Sequence, residues 1–158
     1  MFVTVRVLFV CLGNICRSPM AEAVFQQLVE VEGLSDVIEV DSAGTGGWHT
    51  GERAHRGTRG VLERHGIPYD GRARQVDPRD FGRFDYILAM DNDNLYDLKR
   101  MMPPGSDAVL ARFMDFAPDA PVREVPDPWY DGRFDDVYAL VQQGAKGLLE
   151  HIRREEGL

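Results

Sequence analysis

Cys11 heads the segment Cys11-Leu12-Gly13-Asn14-Ile15-Cys16-Arg17-Ser18-Pro19, with five residues between it and Arg17. A thiolate is a strong nucleophile, and a guanidinium is a planar fork that meets two phosphate oxygens at once. Gly13 and Asn14 are the residue types that most readily take positive φ, which a tight cradle of N–H groups demands. Ser18 suits the cap of a following helix and Pro19 its first turn. A helix N-terminus adds free N–H donors and a positive dipole end. Free thiols titrate near about 8.5, and a helix N-terminus with an adjacent arginine brings such groups down to about 3.5–7.5. A thiol in that setting needs no separate base. The chemistry implied is displacement at phosphorus through a cysteinyl-phosphate.

A second group completes such a reaction. In Val125-Pro126-Asp127-Pro128-Trp129-Tyr130, two prolines restrict the backbone around Asp127. A positioned carboxylic acid can protonate a leaving alkoxide or phenoxide, then act as base on water. Trp129 and Tyr130 can wall a cleft and stack on an aryl group. The same pattern also fits an Asx-type turn with its aromatics packed on the core.

The elements that would position these groups follow from periodicity. The β-branched and aromatic run at residues 5–10 reads as a strand ending at Cys11. After it comes a helix with Ala23, Val24, Leu28 and Val31 on one face. Residues 37–40 read as a second strand, and Asp41-Ser42-Ala43-Gly44-Thr45-Gly46-Gly47 as a flexible loop. Residues 54–64 look helical, Asp77-Pro78 opens a short helix near 79–82, and residues 84–90 form a third strand. A helix over 93–101 stops at Pro103-Pro104, and 108–112 form a fourth strand. Val137, Leu140, Val141, Ala145, Leu148, Leu149 and Ile152 make a helical stripe near the C-terminus. Alternation of strand and helix predicts an α/β fold: one domain over 1–158, a four-stranded parallel sheet with helices on both faces. In such folds ligands sit beyond the carboxyl ends of the strands, where Cys11, Ser42 and Asp91 fall.

The whole chain sets limits. It has 158 residues, 44% hydrophobic and 28% charged, and a net charge of −8, which argues against general nucleic-acid binding. Two cysteines do not make a secreted disulfide framework. The apolar start, residues 1–10, is too short for a membrane helix and lacks a basic leader and a cleavage site. A cytoplasmic protein that neither enters a membrane nor binds nucleic acid is the expectation. Eight arginines lie between Arg53 and Arg83; they form either a solvated face or a flank that draws in anions. His49, His55, His65 and His151 show no metal-ligand spacing with either cysteine, so no metal and no cofactor are expected.

Taken together, the segment from Cys11 to Pro19, the Asp41-Ser42-Ala43-Gly44-Thr45 segment and Asp127-Pro128-Trp129-Tyr130 resemble the low-molecular-weight protein tyrosine phosphatases over essentially the whole chain. The resemblance implies a metal-independent, cysteinyl-phosphate hydrolase of tyrosine-phosphorylated proteins and small aryl phosphates. It implies Cys11 as nucleophile, Arg17 as phosphate binder and Asp127 as general acid and base. It also implies an oxyanion loop of Leu12, Gly13, Asn14, Ile15, Cys16 and Ser18, with Asn14, Ser18 and Ser42 as a supporting network. Many members close that network with a histidine in the turn before an Ala-Arg-Gln segment. Here the segment is Ala73-Arg74-Gln75 and the matching position is Gly71, so a shorter or water-bridged network is expected.

Other residues keep two readings. Trp48 lines an aromatic slot with Trp129 and Tyr130, or packs in the core. His49 reads as a surface histidine. Cys16 either pairs reversibly with Cys11 or fills space under the loop. Asp91 either caps the next helix, the favoured reading, or orients Arg17. Three further functions compete. An arsenate reductase of the same fold needs further relay cysteines, which the chain lacks. An inactive phosphate-binding module is disfavoured by the presence of Cys11, Arg17 and Asp127 together. A redox or metal protein is disfavoured by Arg17 and the Gly-Asn loop.

Overall fold

Four strands carry the β-branched and aromatic runs: β1 (Val5–Cys11), β2 (Ile38–Gly44), β3 (Tyr86–Ala89) and β4 (Val109–Arg112). In the computed structural model, which describes residues 4–158, they form one parallel sheet in the order β2-β1-β3-β4. Residues 1–3, the head of the apolar start, lie outside the described residues. The central strand β1 is buried on both faces, with Val7, Leu8, Phe9 and Val10 all at 0% exposure. A strand in that position needs a continuous apolar run rather than an alternating one.

Four α-helices cover the sheet: α1 (Arg17–Val31), α2 (Arg56–Arg64), α3 (Asn92–Met101) and α4 (Phe134–Glu156). Helices α1 and α4 close one face over Val7, Phe9, Tyr86 and Leu88. Phe9 sits edge-on against both Phe25 and Phe113 there. Leu98 of α3 and Phe81 of a short 3₁₀ turn (Pro78–Gly82) close the other face over Leu8, Val10, Ile87 and Ala89. That turn opens with a reciprocal capping box between Asp77 and Asp80. The expected α/β architecture holds, and the seven apolar positions of the C-terminal stripe are all buried.

Three expectations need correction. Strand β2 does not stop at residue 40; Asp41, Ser42, Ala43 and Gly44 pair with Leu8, Phe9, Val10 and Cys11. Those residue types favour turns in isolation, and the ladder offered by β1 overrides the preference. In α1, Ala23 and Val24 are buried and Leu28 packs against the core as expected, but Val31 is exposed, and Met20, Ala21, Phe25 and Val29 complete the buried face. Helix α2 starts at Arg56 rather than at 54, because the Nδ1 atom of His55 accepts from the Gly57 N–H at 2.9 Å and so caps the helix. The remaining strands and helices shift by a residue or two at their ends, the usual scatter of such boundaries.

Candidate active site

The sheet order reverses direction at β1 and β3, so the crevice beyond their carboxyl ends is where this topology gathers ligands. Cys11 ends β1 and Asp91 follows β3. The loop between Cys11 and Arg17 spans that crevice and is pinned from outside. The Cys11, Leu12, Ile15 and Cys16 carbonyls accept from Thr45 N, Gly46 N, His55 N and Thr58 Oγ1 at 2.7–2.9 Å. In a trans peptide the next N–H points the opposite way. The N–H groups of Leu12, Gly13, Cys16 and Arg17 therefore turn inward. Such a ring of donors suits a tetrahedral anion.

Asn14 alone takes the left-handed conformation in this loop, with φ 56°, whereas Gly13 has a negative φ. Gly13 answers to space instead: a Cβ there would lie 3.1 Å from the His49 ring. Gly44 is tighter, since a Cβ would fall 2.7 Å from the Leu12 carbonyl and 3.1 Å from the Asn14 nitrogen.

Ser18 does not cap the helix. Helix α1 begins at Arg17 with Cys16 as its cap residue, and no side chain bonds there. The Ser18 hydroxyl instead lies 3.0 Å from Cys11 Sγ. Its position follows from Asn14, whose Nδ2 donates to Ser18 Oγ at 2.8 Å and to Ser42 Oγ at 3.0 Å. The Asn14 backbone N–H points at Cys11 Sγ, 3.3 Å away. Pro19 sits in the first turn, where a missing N–H loses nothing.

Arg17 is 3% exposed and fixed from behind. Its Nη1 donates to Asp91 Oδ2 at 2.7 Å and to the Val125 carbonyl at 2.9 Å. Burial works against its charge, but Cys11, Asp91 and Asp127 outweigh that and hold the guanidinium above its ordinary range. Asp91 fills both roles considered for it, since Oδ1 caps α3 through the Asn94 N–H at 2.8 Å while Oδ2 holds Arg17.

Asp127 approaches from the opposite side, with Oδ2 3.7 Å from Arg17 Nη2. Its Oδ1 accepts from the Trp129 N–H at 3.0 Å, so the Asx turn exists and still faces the crevice. Trp48, Trp129 and Tyr130 are not core residues; they are exposed and line a cleft of about 210 Å³ with Cys11, Leu12, Ile15 and Asp127. His49 lines it as well, paired with Glu52 at 2.7 Å. Both His49 and His55 rest against the Trp129 ring. A wider cleft beyond Arg17 and Asp127 carries charges of both signs, Arg123 and Arg133 beside Asp91, Glu124 and Asp136, and does not contain the thiol.

Cys16 is buried, and burial followed by the neighbouring Cys11 and Asp127 pushes its thiol up to about 12. It packs with Ile15 and Ala73, and both cysteines are free thiols. Among the described residues no group of His, Cys, Asp and Glu is placed to hold a metal ion, and no helix is long and apolar enough to cross a membrane. Of the eight arginines between 53 and 83, Arg64, Arg74, Arg79 and Arg83 are ion-paired.

Sequence reasoning missed Glu22, Tyr69 and Arg74. The Arg74 N–H donates to Asn14 Oδ1 at 3.0 Å, and Glu22 Oε1 accepts from Ser42 Oγ at 2.6 Å and Tyr69 Oη at 2.9 Å. The network is therefore not shortened at Gly71. The one available signal was Glu22, one helical turn beyond Ser18.

The comparisons agree with this geometry. The family model described as low molecular weight phosphotyrosine protein phosphatase matches residues 6–157. A Bacillus subtilis relative, the low molecular weight protein-tyrosine-phosphatase YfkJ, is 47% identical over 155 residues, 98% of this chain and 99% of that one. Its crystal structure superposes with a TM-score of 0.93, covering 96% of each chain. A protein tyrosine phosphatase from Entamoeba histolytica, crystallised with Hepes in the active site, is 39% identical with a TM-score of 0.89, covering 98% of this chain and 99% of that one. A Drosophila arginine phosphatase is 33% identical with a TM-score of 0.88, covering 93% and 97%. The chain belongs to the low molecular weight phosphotyrosine protein phosphatase family and is a protein-tyrosine phosphatase.

Proposed function

We propose that the chain hydrolyses phosphotyrosine in proteins, and small aryl phosphates, by two in-line displacements at phosphorus with Cys11 as nucleophile. The observation that carries this reading is the convergence of Cys11 Sγ, the inward-turned loop N–H groups, Arg17 and Asp127 on one cleft. In the first step the Cys11 thiolate attacks phosphorus and the bond to the tyrosine oxygen breaks. The Asp127 carboxyl group gives its proton to the departing phenoxide. In the second step the Asp127 carboxylate takes a proton from water as that water attacks phosphorus. The S–P bond breaks, releasing inorganic phosphate and restoring the thiolate.

Arg17 matches the charge spread over the equatorial oxygens of each transition state. Because Asp91 and Val125 occupy its Nη1, the guanidinium is oriented before substrate arrives. An anion in the cradle is also supported by the Entamoeba relative, since Hepes carries a tetrahedral sulfonate. The aromatic rim of Trp48, Trp129 and Tyr130 favours a flat ring over the short phosphoserine side chain.

Hydrolysis of an aryl phosphate in the presence of a chelator, with inhibition by vanadate and loss of turnover in Cys11→Ser, is the expected result. Full activity in Cys11→Ser, or a strict need for added metal, would sink the mechanism. A phosphopeptide panel tests the substrate: preference for phosphoarginine, the residue type named for the Drosophila relative, would overturn the phosphotyrosine assignment.

A further inference from the structure

We propose that Arg123 is a positioning residue: its guanidinium ties the segment leading to Asp127 to the core and so sets where that acid stands over the cleft. The inference rests on the reading of Asp127 as proton donor.

Packing fixes that segment at one point only. Residues 121–127 form one wall of the wider cleft, about 750 Å³, and Ala139, Leu140 and Gln143 of α4 stand across it. Among residues 121–127 only Val125 is buried. A single buried side chain leaves the direction of the chain on either side of it to be set by tethers. Two tethers run to the end of β3 and the start of α3. The Val125 N–H donates to the Met90 carbonyl at 2.8 Å, and Glu124 Oε2 accepts from the Asn92 N–H at 2.9 Å. Arg123 pulls the other way. Its Nη1 donates to the Met114 carbonyl at 3.0 Å, and its Nη2 to the Ala117, Pro118 and Ala120 carbonyls at 3.0, 3.3 and 2.7 Å. Met114 and Ala117 each accept a backbone N–H already, so Arg123 takes their second lone pairs.

The far end of this tether does not move. Met114 belongs to a second 3₁₀ turn (Phe113–Phe116), where Phe113 and Met114 are both 0% exposed. The Phe116 carbonyl lies so close to Gly147 of α4 that position 147 has no room for a Cβ. The near end is stiff. Pro126 has a fixed φ, and Pro128 restricts the backbone of Asp127. A displacement at residue 123 is therefore passed on to Asp127, four residues later, and not absorbed. The guanidinium suits the task because its donors lie in a fixed plane and span carbonyls that a lysine ammonium, a single point, does not. A donor must stand within hydrogen-bond reach of the leaving oxygen, and a misplacement of about 1 Å costs up to about 10²-fold. Arg17 is less exposed to the same displacement, because Asp91 holds its Nη1 together with the Val125 carbonyl.

The test varies the leaving group, using the full chain. The phenoxide of a dinitrophenyl phosphate departs without a proton, whereas that of phenyl phosphate needs one. Arg123→Ala should lower kcat/KM about tenfold for phenyl phosphate and less than about twofold for the dinitrophenyl ester. Inhibition by vanadate, which reads the cradle, should be unchanged. Arg123→Lys should show the same bias at about threefold, and it supplies the measurement if thermal melts show Arg123→Ala to be unfolded. In an Asp127→Ala background, Arg123→Ala should cost phenyl phosphate turnover nothing further, because effects passed through one residue do not add. Equal losses for the two esters, a full additional loss in the Asp127→Ala background, or no change in a folded Arg123 variant would overturn the proposal. Failure of the proton-donor reading shows separately, as an Asp127→Ala variant without leaving-group bias, and the proposal falls with it. A bias present in Asp127→Ala but missing from the Arg123 variants removes the tether alone.

Discussion

The cradle around Cys11 and the loop carrying Asp127 face each other across one cleft, yet they are built in opposite ways. Asn14, Arg17 and Ser18 are at most 3% exposed, and each is held by at least two hydrogen bonds. On the other side Trp129 is 52% and Tyr130 82% exposed, and Asp127 is held mainly by its own Asx turn and by Arg17. The difference tracks the work assigned to each. A group that stabilises charge by position must not relax when the charge forms, so it is buried and bonded. A group that trades protons with a leaving group and then with water must stay reachable.

Substitutions on the two sides should therefore fail differently. Asp127→Ala should lower kcat by about 10²–10³-fold while vanadate still binds; a variant that loses vanadate binding would make Asp127 part of the cradle. On the cradle side, Gly44→Ala pushes a Cβ into the backbone of Leu12 and Asn14. It should cost about 1–3 kcal/mol of stability and weaken phosphate inhibition, read from denaturant titration and from Ki. Asp91→Asn keeps the α3 cap, since Asn caps as well as Asp, but removes the charge behind Arg17. A roughly tenfold loss in kcat/KM with an unchanged melting temperature is the expected signature; equal loss of both would assign Asp91 to stability. Trp129→Ala should raise KM for aryl phosphates by only a few-fold and shift stability by less than about 0.5 kcal/mol, unless the rim is more tightly built than its exposure indicates.

The smallest effect concerns Cys16 and is silent at neutral pH. Its folded-state thiol is raised to about 12 from an ordinary value of 9.0, so above that ordinary value the unfolded chain sheds a proton that the folded chain keeps. Stability from this group is fully present below pH 9.0 and is lost as pH rises toward about 12. Cys16→Ala should flatten the alkaline limb of a stability profile and leave the neutral region alone. At pH 7 to 8 iodoacetamide should mark Cys11 only, seen as a single adduct by mass spectrometry.

Legibility in the sequence differed between the two regions for a physical reason. The proposed nucleophile, the arginine and the helix start lie within nine residues, so chain connectivity alone brings Cys11, Arg17 and Pro19 together. Local rules still erred within that stretch. Ser18 reads as a cap, but its hydroxyl is drawn to Cys11 once Asn14 donates to it. Gly13 and Asn14 both read as positive-φ residues, but only Asn14 takes that conformation. The run from Asp41 to Gly44 reads as a loop because turn propensity is local, while the ladder that captures it comes from β1, more than thirty residues earlier.

The residues able to do the chemistry, and the alternation of strand and helix that makes a parallel sheet, are written locally in this chain. Apolar periodicity and short-range spacing carry them without reference to distant partners. What only the tertiary structure decided is how those residues are aimed. Asp91 proves to be both cap and guanidinium clamp because β3 ends beside β1. Tyr69 reaches Glu22 of α1 because Gly71 leaves room for the Tyr69 hydroxyl. Hydrogen bonds depend on angles and tenths of an ångström between elements far apart in sequence, and those are set only when the sheet and helices pack.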